Sequence, residues 1–177
     1  SKFILTLPQP KNVLISKTLM IEEANGFYSI PIEDVVEVIR ISVVQYDEFI
    51  FMVDGYPVLK RHEDLIPLFK LIKCLREEKH KNINLRSQKE LVIIIIKHEN
   101  LKMGIIVDDV HGIEESVIRK ITPDFKASPL YIGATYYGDN SLALVLNIEN
   151  MTKQNLHTIH HVNRAAITAP EVGSTSE

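Results

Sequence analysis

The feature that most constrains this chain is an ordered series of β-hairpin signals that occurs twice. In the first half, extended apolar runs are followed by a tight turn at Asp54-Gly55. In the second half, the run 103–110 is followed by a segment that turns at Gly138-Asp139-Asn140. Glycine or asparagine between two apolar runs is typical of hairpin turns. About ten short, closely spaced strands favour an all-β architecture of barrels or a sandwich over a parallel α/β sheet.

The two series suggest two lobes of similar pattern, offset by roughly eighty residues. The first lobe is expected to run from about Val13 to a polar connection near 76–90, and the second from there to Leu146. Segment 62–75 could be strand or helix, because its apolar residues fall at helical spacing while Pro67 interrupts the first turns. A short helix is expected at 148–156. Residues 158–177 lack apolar periodicity and are expected to form a disordered tail.

Composition excludes several function classes. The chain has 177 residues, 45% of them hydrophobic, which is ordinary for a globular protein. A net charge of -3 offers no basic face for nucleic acid. The longest apolar run, 91–96, is far shorter than a membrane span, and no signal peptide is evident, so a cytoplasmic protein is expected. The lone Cys74 excludes an internal disulfide and fits a reducing compartment.

Residues that could carry chemistry have plainer interpretations. The adjacent Asp108 and Asp109 point to opposite faces of a strand, so support of a turn is more plausible than shared catalysis. A metal site at His157, His160 and His161 would need further ligands, and none lies near in sequence. The remaining candidates lack the motifs of a nucleophile with its base: His111, Ser116, Ser141 and Cys74. The chain is predicted to hold no catalytic residue, metal or cofactor.

Leu19 and Met20 are the candidate protein-binding residues. They are adjacent large apolar residues on a predicted strand, and a strand turns successive side chains to opposite faces. One reading is a strand buried on both faces. The other, on which the prediction rests, has one side chain in the core and the other exposed to a partner.

Four segments together resemble the CheW-like domain of bacterial chemotaxis, and more narrowly the C-terminal regulatory domain of the histidine kinase CheA. Each is weak alone, but they occur in the order and spacing of that family. The resemblance covers about residues 14–151 and is carried by Tyr28-Ser29-Ile30-Pro31-Ile32, by segments 65–71 and 104–112, and by Gly138-Asp139-Asn140-Ser141-Leu142-Ala143-Leu144.

The resemblance implies two SH3-like, five-stranded β-barrels with short helices, in a regulatory domain at 11–157. It implies that segment 65–71 is a strand followed by a short helix near 72–75. Residues 1–10 would be the end of a preceding ATP-binding domain and its hinge, because Phe3-Ile4-Leu5-Thr6-Leu7-Pro8 is similar to the final strand of that domain. Asn140 stands where the family commonly has glycine, and asparagine tolerates the same backbone geometry.

In function, the resemblance implies a docking domain that binds the adaptor CheW and chemoreceptor tips, and couples receptor state to kinase autophosphorylation. The parent polypeptide would be an ATP-dependent, homodimeric histidine kinase located at cytoplasmic receptor arrays. The alternative within the family is a free-standing CheW-type adaptor. From another class, an SH3-like ligand-binding or accessory barrel is also considered.

Overall fold

A computed structural model describes residues 13–121 and 128–168, which form two β lobes. The first lobe is a closed barrel of five strands. In the order around the barrel they are β1 (Val13–Glu23), β2 (Gly26–Pro31), β11 (Ser141–Leu146), β10 (Tyr131–Tyr137) and β9 (Asp109–Lys120). Most neighbours are antiparallel, whereas β2 and β11 run parallel.

The second lobe is a sheet of six strands. In sheet order they are β3 (Val35–Ser42), β7 (Glu90–His98), β8 (Leu101–Val107), β6 (Asp64–Lys70), β5 (Tyr56–Arg61) and β4 (Ile50–Val53). An ion pair between Arg61 on β5 and Glu37 on β3 joins the two sides of the sheet, so the sheet curls. Four α-helices complete the described chain: α1 (Tyr46–Phe49), α2 (Leu71–Leu75), α3 (Ile148–Gln154) and α4 (Leu156–Thr168).

The all-β prediction of two β lobes is confirmed, and the strands are divided between the lobes differently from the expected split near 76–90. The second lobe is a six-stranded sheet, and it is built entirely from the middle of the chain. The barrel combines both ends, because β1 pairs with β9 along its length, from Val13 opposite Arg119 to Glu22 opposite Asp109. Hairpin signals report pairing between neighbours in sequence, and they carry no information on which distant strands meet.

A shared hydrophobic core joins the lobes. Leu19 and Ile30 of the barrel strands belong to the same buried cluster as Phe69, Ile94 and Ile105 of the sheet. A second cluster lies within the sheet lobe and contains Ile41, Leu59, Ile66, Ile93 and Ile95. The uninterrupted apolar run of β7 thus supplies both clusters, with alternate side chains on opposite faces.

The ambiguous segment folds as the family resemblance implies. Strand β6 contains Pro67, which stands opposite Val58 of β5, and α2 follows directly. The helix expected at 148–156 is also found as α3, where the side chain of Asn147 accepts a hydrogen bond from the Asn150 backbone N–H at 3.1 Å. This is an ordinary helix N-cap.

The prediction of a disordered tail from residue 158 is wrong as far as Thr168, because α4 occupies that part of the chain. Ile159 and Val162, three residues apart, are fully buried and anchor the helix. The two histidines between them, His160 and His161, obscure this short apolar stripe in the sequence. The remainder of the expected tail, 169–177, and the expected end of an ATP-binding domain at 1–10 lie outside the described residues.

Candidate protein-binding surface

Strands β1 and β9 form the longest strand pair in the barrel and present an apolar outer surface. Ile15 stands directly opposite Val117, with Val13 opposite Arg119 and Lys17 opposite Glu115 on either side. Opposed residues lie on the same face of a sheet, and so do residues two apart on one strand. These side chains therefore form a continuous row across two strands.

The apolar members of this row are exposed. Ile15 is 64% exposed and Val117 is 52% exposed, and Val13 and Ile113 on the same face are also open to solvent. We call these four residues the β1–β9 patch. Lys17 and Glu115, which carry opposite charges, lie between Ile113 and the other three residues. Exposed apolar side chains next to charged ones are typical of a protein interaction site.

Leu19 and Met20 lie on the same strand, but the expectation that one of them faces solvent is wrong. Leu19 is 3% exposed and Met20 is 0% exposed. Alternation along β1 is kept: Leu19 points out of the barrel, where the sheet lobe covers it through Phe69 and Ile94. Met20 falls on the inner face with Thr18, whose hydroxyl lies 2.7 Å from that of Ser116. The outer covering is thus supplied by the chain's own second lobe.

The interior of the barrel is filled by side chains. Met20, Ile118, Ala143 and Val145 are fully buried, and the Thr18–Ser116 hydrogen bond crosses the same space. A small barrel filled in this way leaves no room for an enclosed ligand. The geometry therefore favours function at the outer surface over a ligand-binding barrel.

The sheet lobe also exposes apolar side chains. Val36 and Val38 project from β3, and Phe51 and Met52 from β4, and all four are exposed. Strands β3 and β4 are the two edges of the six-stranded sheet. We call these four residues the sheet-edge residues. The two lobes thus each present apolar side chains to solvent, which suits a domain that holds more than one partner.

The acidic pair supports structure, as the sequence indicated. Asp108 accepts a hydrogen bond from the Ala24 backbone N–H at 2.8 Å, while Asp109 accepts one from Arg40 at 3.1 Å. Arg40 also lies 3.2 Å from Glu90, so it bridges two strands of the sheet to the start of β9. The guanidinium and the Val110 N–H lower the pKa of Asp109, the N–H contributing most. The two carboxylates have separate partners and do not share a site.

Sequence reasoning missed a buried partner of Cys74. His80 Nε2 lies 3.7 Å from Cys74 Sγ, and both side chains are buried. Burial raises the pKa of the thiol to about 12 and lowers the pKa of His80 to about 4. Both groups are therefore neutral near pH 7, in contrast to the thiolate–imidazolium pair of a cysteine nucleophile. Only the spacing of the two residues in the sequence could have suggested the contact.

Two of the candidate histidines, His161 and His111, have structural contacts. On α4, His161 Nε2 lies 3.0 Å from Asp54 Oδ2 and its ring packs edge-on against Tyr56. His111 Nε2 lies 2.9 Å from Glu22 Oε2. Within 13–121 and 128–168, the structure has no group of three or more acidic, histidine or cysteine side chains placed to hold a metal ion. In those same ranges, no helix is long and apolar enough to cross a bilayer.

Comparison with known proteins identifies the family. The sensor histidine kinase CheAY of Helicobacter pylori is 30% identical over 142 residues, which cover 80% of this chain and 17% of that protein. Chemotaxis protein CheA of Treponema pallidum is 30% identical over 161 residues, which cover 88% of this chain and 18% of that protein. The chain thus spans less than a fifth of the length of these two relatives.

A solved structure has the same fold. The scaffolding protein TtCheW of Thermoanaerobacter tengcongensis superposes with a TM-score of 0.52, at 22% identity, over 76% of this chain and 90% of that chain. The sequence profile of the CheW-like domain matches residues 17–155. That match includes both lobes and ends just before α4. The chain therefore belongs to the CheW-like domain family and is homologous to the CheW-like regions of CheA proteins.

Proposed function

We propose that this chain is the regulatory docking domain of a chemotaxis histidine kinase of the CheA type. In this role it binds a CheW-type adaptor and chemoreceptor tips, and it transmits receptor state to the autophosphorylation reaction of a homodimeric parent kinase. The site of action is the cytoplasmic face of a receptor array. Two findings support this proposal. The chain belongs to the CheW-like domain family, and most of its length is similar in sequence to CheA proteins.

The observation that carries the binding proposal is the β1–β9 patch. Its apolar side chains lie on two paired strands, which hold them in a fixed arrangement without a loop to order. A partner that covers Ile15 and Val117 removes apolar surface from water at little conformational cost. The opposed charges of Lys17 and Glu115 would set the orientation of that partner more than its affinity. We assign the CheW-type adaptor to this patch.

Leu19 and Met20 keep a place in this proposal as support for the patch. Leu19 fastens the outer face of β1 to the sheet lobe, and Met20 fills the barrel beneath it. Together they fix the position of the strand on which Ile15 is presented. Receptor tips need a separate surface if both partners bind at once, and the sheet-edge residues on the other lobe offer one.

Titration of a purified CheW-type adaptor against single variants tests the assignment. Ile15→Glu and Val117→Glu are each expected to weaken binding about thirtyfold or more, as loss of a central apolar anchor does. Ile167→Glu is the control, because Ile167 is also open to solvent but lies at the end of α4. All three variants should keep the parent's melting temperature. Unchanged affinity in both patch variants would remove the patch from the proposal.

A free-standing CheW-type adaptor is the second candidate, favoured by the fold shared with TtCheW over 90% of that chain. The two candidates differ in what is encoded upstream of Ser1. An ATP-binding domain in the same reading frame supports the kinase. A start codon immediately upstream of Ser1 supports the free adaptor and rules out the kinase fragment.

A further inference from the structure

Asp108 joins the two lobes, and Glu23 binds it there. Asp108 is the single residue between β8 of the sheet and β9 of the barrel. Its backbone N–H donates to the Glu22 carbonyl at 3.1 Å and to Glu23 Oε2 at 3.0 Å. In return, its side chain accepts from the Ala24 N–H at 2.8 Å. The turn that ends β1 is thus tied to the point where the chain crosses between lobes.

The tie holds a carboxyl group in a buried position. Glu23 is 7% exposed, and the Asp108 carboxylate lies close to it. Lys70 at the end of β6 faces it from the sheet lobe and favours its ionised form. Tyr28 on β2 and Cys74 on α2 both feel the charge of Glu23, and Arg76 lies close enough to Tyr28 to favour its ionised form. Lys70 is thus the cation that offsets the Glu23 charge directly, and Arg76 acts on its neighbour Tyr28.

Burial, reinforced by Asp108, raises the pKa of Glu23 to about 7, against the opposing effects of the Asp108 N–H and Lys70. A group whose pKa is higher in the folded state stabilises that state fully below its unfolded pKa. That contribution is lost as the pH rises through the folded value. For Glu23 the loss falls between about pH 4.5 and pH 7. The junction is thus favoured by mildly acidic solution.

We infer that Glu23 and Asp108 form a pH-sensitive latch between the two lobes. Protonated Glu23 keeps a carbonyl oxygen to accept the Asp108 N–H and no longer repels the Asp108 carboxylate, so the latch is closed. Ionised Glu23 places a buried negative charge beside the Asp108 carboxylate, which is itself exposed, and the β1–β2 turn separates from Asp108 more readily. The relative position of barrel and sheet then becomes looser as the pH rises toward neutrality.

Amide hydrogen exchange of the whole chain, measured by NMR between pH 5.5 and 8.5, tests this inference. Protection factors at the Ala24 and Asp108 amides are expected to fall about thirtyfold over that range, because opening of the latch returns the pKa of Glu23 to its ordinary value of 4.5. Glu23→Gln keeps the acceptor and removes the charge, so its protection should not change with pH. Glu63→Gln, at an exposed position, should behave as the parent does.

Three results would overturn the latch. The first is the same pH dependence in Glu23→Gln as in the parent. The second is an equal loss of protection at core amides such as Ile94, which would indicate global unfolding. The third is a titration midpoint below pH 5.5 for the Glu23 carboxyl, measured directly by ¹³C NMR in the unmutated chain. In Asp108→Asn the midpoint should fall relative to the parent, and an unchanged midpoint would remove Asp108 from the latch.

Discussion

Truncation of Leu19 tests whether the second lobe seals the outer face of β1. Leu19→Ala removes three carbon atoms from a side chain that is 3% exposed and packs against the sheet lobe. At about 0.8 kcal/mol per buried methylene, the lost transfer energy is about 2.4 kcal/mol. The cavity left behind brings the total loss of unfolding free energy to about 3–4 kcal/mol. For a domain of this size the melting temperature should fall by about 6–16 °C.

Urea unfolding is the direct assay, followed by tyrosine fluorescence because the chain has six tyrosines and no tryptophan. Ile15→Ala is the matched control, since Ile15 is on the same face of the same strand but exposed. It should change stability by less than about 0.5 kcal/mol. If Leu19→Ala were as mild as Ile15→Ala, the lobe interface would not seal this face, and the assignment of Leu19 to support rather than to binding would fail.

Four further outcomes are expected. Gly104→Ala should lower the unfolding free energy by about 1–3 kcal/mol, because a β-carbon there would lie 2.5 Å from Leu68 Cδ2. An unchanged unfolding free energy in urea would mean that the sheet adjusts without cost. Cys74 should react with a thiol reagent only after unfolding, since burial raises its pKa to about 12; rapid labelling of the native chain would contradict that burial. His161→Ala should lose less than about 1 kcal/mol, because its contact with Asp54 is partly exposed, and should increase hydrogen exchange in α4; unchanged exchange would show that the contact does not hold the helix. The purified chain should retain no labelled ATP, and stoichiometric retention would overturn the docking-domain assignment.

The pairing of strands that are neighbours in sequence could be predicted, because turn-forming residues mark each hairpin. Asp54 and Asn140 adopt positive φ at the hairpin turns that the sequence predicts, and Ala24 and Asn25 do so at the turn between β1 and β2. Such turns depend on a few adjacent residues. The hydrophobic periodicity left strand and helix open for one segment, and the family resemblance correctly implied strand β6 followed by helix α2.

Long-range pairing and burial could not be predicted in the same way. The partnership of β1 with β9 depends on the packing of the whole chain, and the burial of Leu19 depends on a lobe made from other segments. Neither leaves a local mark in the sequence. The apolar pair at Leu19 and Met20 was visible in the sequence, but the most exposed apolar residue of β1 proved to be Ile15, near the start of the strand.

The interleaved order of the strands also dictates when each part can form. Strands β3 to β8 are contiguous in the chain and can pair as soon as residue 107 has left the ribosome. Strands β1 and β2 are made before these six strands, whereas their partners β9 and β11 are made after them. The hydroxyls of Thr18 and Ser116, which are 98 positions apart in the sequence, meet inside the barrel. Closing so long a loop slows folding. During synthesis the interior side chains of the β1–β2 hairpin, such as Thr18 and Met20, therefore stay uncovered until β9 and β11 arrive, and this interval is when the nascent chain is most open to aggregation or to a chaperone.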